Sequence, residues 1–87
     1  MGRVRIKMRP SDLHKIGADY IDCQRVKNTK GVHGWRYIVE KRLTDEQREL
    51  ILGFKNTIIG FARYKYAPEL VHDTVVILDK CLEVETC

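Results

Sequence analysis

Arg3, Arg5, Lys7 and Arg9 alternate with Val4, Ile6 and Met8. Side chains two apart on an extended strand share a face, so this segment predicts cations on one side and apolar groups on the other. Such a row can follow the phosphates of a nucleic acid, giving affinity without base choice. Other residues are placed to join it. Arg36 and Arg42 lie on a second β-rich stretch whose Trp35, Tyr37 and Val39 take the opposite face, and Tyr20 joins them if Ile21 and Cys23 point inward. Asp22 and Glu40 interrupt the row. Lys27 and Lys30 border or occupy a loop containing Gly31 and Gly34, a basic hairpin tip able to enter a groove. Arg63-Tyr64-Lys65-Tyr66 interleaves cations with rings that can stack on bases. The candidate nucleic-acid or partner-binding set is therefore Arg3, Arg5, Lys7, Arg9, Tyr20, Lys27, Lys30, Arg36, Arg42, Arg63, Tyr64 and Lys65. Each also has a plainer reading, as a solvated strand face, a surface hairpin or a polar cover over the core.

Other chemistries find less support. Glu69-x-x-His72 would put a carboxylate and an imidazole on one helix face, but metal centres of that type need a second such motif. No metal and no cofactor is expected. A phosphate-binding G-x-x-x-x-G-K-[ST] loop and a G-x-G-x-x-G fingerprint are both absent from the sequence. Cys23 or Ser11 beside a histidine would be a nucleophile without any local motif, so an enzyme is not expected. The three cysteines form no C-x-x-C pair. They read as reduced thiols, with Cys23 in a strand, Cys81 facing the core from a helix and Cys87 exposed.

The elements that must carry these residues follow from periodicity. Segment 2–9 reads as a strand ended by Pro10. Ser11 then caps a short helix, 12–16, closed by Gly17. Segments 19–27 and 35–42 read as two further strands, rich in aromatic and β-branched residues. Thr44-x-x-Gln47 is a capping box opening a helix whose Leu50, Ile51, Phe54, Ile58 and Phe61 recur at spacings of three and four. Gly53, Gly60 and the run Thr57-Ile58-Ile59 support an alternative, a helix ending near Lys55 followed by a strand to about Tyr66. Pro68 suits the first position of another helix, 68–85, with a wide apolar face. The expected fold is α+β, a three-stranded antiparallel sheet (β, short helix, β, β) packed on one face by two C-terminal α-helices.

At 87 residues the chain is one domain, 1–87. Its net charge of +4 is unevenly spread. Residues 1–42 hold eleven basic and four acidic side chains, a net of +7, and residues 43–87 hold five and eight, a net of −3. The first is read as a basic sheet half and the second as an acidic helical half. A helix carrying Glu69, Asp73, Asp79, Glu83 and Glu85 would be repelled from a DNA groove, so any polyanion contact belongs to the sheet. The reading is a small non-enzymatic binding protein that engages nucleic acid phosphates through a basic sheet face and a hairpin loop. The alternative is a small inhibitor or adaptor of phage or mobile-element type, docking on an acidic or nucleic-acid-binding protein surface. The apolar face of 68–85 also makes a homodimer through that helix an expectation. No apolar run approaches the roughly 18 residues of a membrane span, and residues 1–6 do not resemble a signal peptide. A cytoplasmic protein without membrane contact is expected.

Overall fold

The computed structural model describes residues 6–64 and 67–81. Six elements follow one another: α1 (Pro10–Lys15), β1 (Tyr20–Lys27), β2 (His33–Val39), α2 (Asp45–Leu52), β3 (Thr57–Tyr64) and β4 (Ala67–Leu78). The strands form one antiparallel sheet in the order β1-β2-β4-β3. The α+β class stands, but the sheet has four strands instead of three. It draws two strands from each half of the chain, so the acidic half is not simply helical.

The largest correction concerns 68–85. Most of it is β4, not a helix, and the homodimer expected through that helix loses its element. Thr74, Val75, Val76 and Ile77 are all β-branched and pack more readily on a pleated sheet than on a helix. β4 lies between β2 and β3, and Thr74, Val75, Ile77 and Leu78 are all buried. A strand buried on both faces is a continuous apolar run, with no alternation to announce it. Pro68 falls where the β3–β4 register slips, Tyr64 pairing with Ala67 but Arg63 with Val71. Its missing N–H therefore breaks no ladder bond.

The strand expected over 2–9 is also not found where it can be seen. Residues 6–9 are irregular, and Arg3 and Arg5 lie outside the described residues. Pro10 does not end a strand; it is the first residue of α1, which begins two positions before the expected helix. The Asp12 carboxylate accepts the Arg9 N–H at 2.9 Å, and Gly17 leaves the helix with φ +83°.

A hairpin of β1 and β2 and the start of α2 are found as expected, but β2 runs His33–Val39 instead of 35–42, so Arg42 lies beyond the strand. Thr44 Oγ1 accepts the Gln47 N–H at 3.1 Å and Gln47 Oε1 accepts the Thr44 N–H at 3.0 Å. The helix stops at Leu52 and β3 follows, which is the helix-then-strand alternative. Thr57 helps to close it by donating its hydroxyl to the Ile51 carbonyl at 2.6 Å.

Both helices cover one face of the sheet. Leu13 of α1 and Ile51 of α2 are fully buried with Tyr37 and Val39 of β2 and Val75 and Ile77 of β4. Each such aliphatic side chain contributes about 1.5–3 kcal/mol on burial. β2 pairs with β4 only over Thr74–Leu78, so residues 67–73 of β4 pair with β3 alone. These form a two-stranded arm, and the molecule measures 40 × 29 × 18 Å.

Gly34 marks the tightest strand contact. A Cβ there would stand 2.6 Å from the Ile77 carbonyl oxygen and 2.8 Å from the Leu78 Cα. Both obstacles are backbone of the central strand and cannot rotate away. Gly34→Ala is expected to cost about 1–3 kcal/mol. Urea unfolding should show a lower midpoint with an unchanged slope; an unmoved midpoint would mean that β2 shifts freely.

Candidate nucleic-acid interface

Segment 6–9 folds back over the ends of β2 and β4, and Asn56 holds it there. This side chain is 1% exposed. Its Oδ1 accepts the Met8 N–H at 2.7 Å, while its Nδ2 donates to the carbonyls of Met8 (3.2 Å) and Leu78 (2.7 Å). The Lys55 N–H adds a bond to the Ile6 carbonyl at 3.3 Å. With Met8 buried in the core, Lys7 and Arg9 are left on the rim of an open cleft.

The cleft has a volume of about 640 Å³, and Trp35, Tyr37, Lys7, Arg9 and Lys15 are among the residues lining it. Trp35 is 39% exposed, and it is the chain's one tryptophan. It pairs across the hairpin with Arg25, whose guanidinium carbon lies 5.1 Å from the ring centroid. Lys7 Nζ donates to the Asp79 main-chain carbonyl at 2.6 Å, and Arg25 meets the Asp79 carboxylate at 3.2 Å. Asp12, the other acid on the rim, is occupied by the Arg9 N–H and lies 3.7 Å from Lys15 Nζ. Lys7, Arg9 and Lys15 thus line one cleft with an exposed indole that carries Arg25 over its ring, and the two carboxylates there are paired with Lys15 and Arg25.

The hairpin tip adjoins this end of the sheet, because the Asp79 N–H bonds the His33 carbonyl at 2.8 Å. Lys27 pairs with His33, and Lys30 stands exposed in the loop. That loop is built rather than loose. Asn28 Oδ1 accepts the N–H groups of Lys30 and Val32, both at 2.9 Å, and Gly31 takes φ +85°.

The remaining candidates lie elsewhere, so the single basic sheet face does not form among the described residues. Arg36 points to the opposite face of β2 from Trp35 and Tyr37, and donates to Gln24 Oε1 at 3.1 Å. Tyr20 is part of the core edge, with its ring 4.6 Å from Tyr37 and 5.0 Å from His14. A bulge explains this. β1 carries one extra residue between Tyr20 and Asp22, so both Tyr20 and Cys23 fall on the Tyr37 side. Arg42, between β2 and α2, lies over the Phe61 ring, and Arg63 of β3 donates to the Pro68 carbonyl at 2.7 Å. Tyr64 lies on β3, and Lys65 falls outside the described residues. Lys15, Arg25 and Trp35 were not among the candidates. Counting back from the Asn28–Val32 loop pairs Arg25 with Trp35, so that contact was readable; the approach of Lys15 was not.

Burial raises the Tyr37 phenol above the ordinary tyrosine range, and Tyr20 and Cys23 add to the rise. The folded state therefore favours the neutral phenol. This contribution to stability is complete below the unfolded value of about pH 10 and is lost as pH rises through the folded one. Spectrophotometric titration should show one late-ionising tyrosine coinciding with alkaline unfolding, and Tyr37→Phe should remove that phase. Ionisation of Tyr37 in the ordinary range, with the fold intact, would contradict this.

Among the described residues, no group of three His, Cys, Asp or Glu side chains is placed to hold a metal ion. Glu69 and His72 lie on β4, so they do not share a helix face. Cys23 is free and exposed, and Cys81 follows β4 instead of lying in a helix. No helix among the described residues is long and apolar enough to cross a membrane. Searches against family models, curated proteins and solved structures find nothing that matches this chain.

Proposed function

We propose that the protein binds single-stranded nucleic acid at the Trp35 cleft. The observation that carries this is an exposed indole that lines one cleft with Lys7, Arg9 and Lys15 and has Arg25 over its ring. Stacking of a base on an aromatic ring contributes about 1–3 kcal/mol and is tolerant of sequence. Cations beside the ring hold the flanking phosphates. The cleft's volume lies within the range of about 300–1,000 Å³ typical of ligand pockets. A base inside a duplex cannot reach the indole, so single strands are favoured over double. Lys27 and Lys30, on the adjoining hairpin tip, extend the track along the backbone.

The indole is its own reporter. Titration with a mixed-sequence single-stranded oligonucleotide is expected to quench tryptophan fluorescence to saturation at low salt. With four phosphates neutralised, log K against log salt should have a slope of about −3. Trp35→Ala, followed by anisotropy of a labelled oligonucleotide, should weaken binding by about tenfold with little change in slope. Absence of binding at low salt, or tighter binding of the matching duplex, would refute the reading.

A further inference from the structure

We infer that the free edge of β3 accepts an extended acidic segment of a partner protein as a fifth strand. The two edges of the sheet differ. β1 is guarded by its bulge and by Arg25 and Lys27, devices that discourage pairing. β3 reads Thr-Ile-Ile-Gly-Phe-Ala-Arg-Tyr, with one charge and no proline in eight residues. Its one irregularity lies at its end, between Arg63 and Tyr64, and leaves 57–63 in regular register.

The ladder shows which groups are open. The Leu78 N–H bonds the Asn56 carbonyl, which marks 56/78 as a hydrogen-bonded pair. By the two-residue repeat, Ile58, Gly60 and Ala62 turn their backbone groups toward β4, and Thr57, Ile59, Phe61 and Arg63 turn theirs outward. Apart from the β3–β4 ladder, no backbone bond to residues 57–64 is found among the described residues.

Side chains select the partner's chemistry. Phe61 is 59% exposed, with Arg42 and Arg48 over its ring at 5.5 and 5.8 Å. Arg48 is already paired with the buried Asp73 at 3.2 Å, whereas Arg42 makes no ion pair among the described residues. Arg63 shares the Phe61 face. Residues of an added strand opposite Phe61 and Arg63 would lie among these cations, and carboxylates there are favoured. The intervening residues would meet Ile58, Gly60 and Ala62, so small or apolar side chains fit. The partner pattern is acidic alternating with apolar. A second copy of this strand is disfavoured, since it would bring both sets of arginines to one seam.

The probe is an end-capped ten-residue peptide alternating Glu with Val or Thr, compared with its Lys counterpart. The Glu peptide should bind and slow hydrogen exchange at the Ile59, Phe61 and Arg63 amides. The Lys peptide should not. Arg42→Glu with Arg63→Glu should weaken binding by about tenfold or more while circular dichroism stays unchanged. Trp35→Ala should leave peptide binding intact, which separates this edge from the cleft. Failure of the Glu peptide to protect those amides would overturn the inference. So would protection that depends on protein concentration alone, which signals a second copy, or protection by an oligonucleotide.

Discussion

Asn56→Ala should lower the unfolding free energy by about 3 kcal/mol or more and weaken ligand binding at the cleft in the same variant. The side chain makes three buried hydrogen bonds, one from the Met8 N–H and two to the carbonyls of Met8 and Leu78. Removing it leaves three backbone groups without their present partners, and each such group costs about 1–3 kcal/mol where it stays buried. Partial relaxation keeps the sum near the lower end. That is still a large share of the 5–15 kcal/mol typical of a whole domain. The effect reaches the cleft because Met8 lies between Lys7 and Arg9. Loosening its backbone lets both cations drift from the indole. Asn56→Asp tests the geometry, because it keeps the acceptor for the Met8 N–H but sets an oxygen against the Leu78 carbonyl. It should be at least as destabilising as alanine. Denaturant unfolding, with hydrogen exchange at the Met8 amide, reads both effects. A stability loss below about 1 kcal/mol would mean that the buried core contact of Met8, and not this clasp, holds the segment.

What could be read from the sequence follows the range of the interactions. The hairpin read at 19–27 and 35–42 was legible because its aromatic and β-branched strands and the turn formers between them are local signals. The start of α2 was legible because Thr44 and Gln47 are three residues apart. The end of that helix was legible as one of two alternatives, with Gly53 and the β-branched 57–59 run pointing to the right one. β4 was not, because a central strand buried on both faces has no period to detect. Its isolated Pro68 suits a helix start by residue type but marks a register slip here. The bulge at Tyr20–Asp22 moved Tyr20 from the expected open face to the core edge, since one extra residue reverses every side chain beyond it. The cleft needed a contact across 48 residues, from Asn56 to Met8, and asparagine in sequence suggests a turn more readily than a buried clasp. The split of charge survives in altered form. The excess of cations in the first half is real, but the fold divides it. One group lines the Trp35 cleft, Arg36 faces the other way, and Arg42 joins Arg48 from the second half beside Phe61.

That division gives the sharpest test of where a polyanion binds. Lys7→Glu with Arg9→Glu should weaken oligonucleotide binding by about a hundredfold or more at low salt. The pair contributes two of the four cations at the Trp35 cleft, and reversal replaces each attraction by a repulsion of similar size. The salt dependence should shrink as well. With two phosphates neutralised instead of four, the slope of log K against log salt falls from about −3 to about −1.4. Stability should change little, since Arg9 supplies its main chain to the Asp12 bond and Lys7 makes one exposed bond to a carbonyl. Arg36→Glu is the matched control. It removes a cation from the same sheet but from the opposite face, where Gln24 is its partner. A binding surface spread over the sheet would lose affinity about equally from either change. A surface confined to the cleft loses it from Lys7 and Arg9 and keeps it within about twofold in the Arg36 variant, because exposed charges farther apart than roughly 10 Å are largely screened at 0.1 M salt. Equal losses from both would return the contact to an extended basic face. Selective loss leaves the cleft that Trp35 shares with Lys7 and Arg9 as the place where the strand is held.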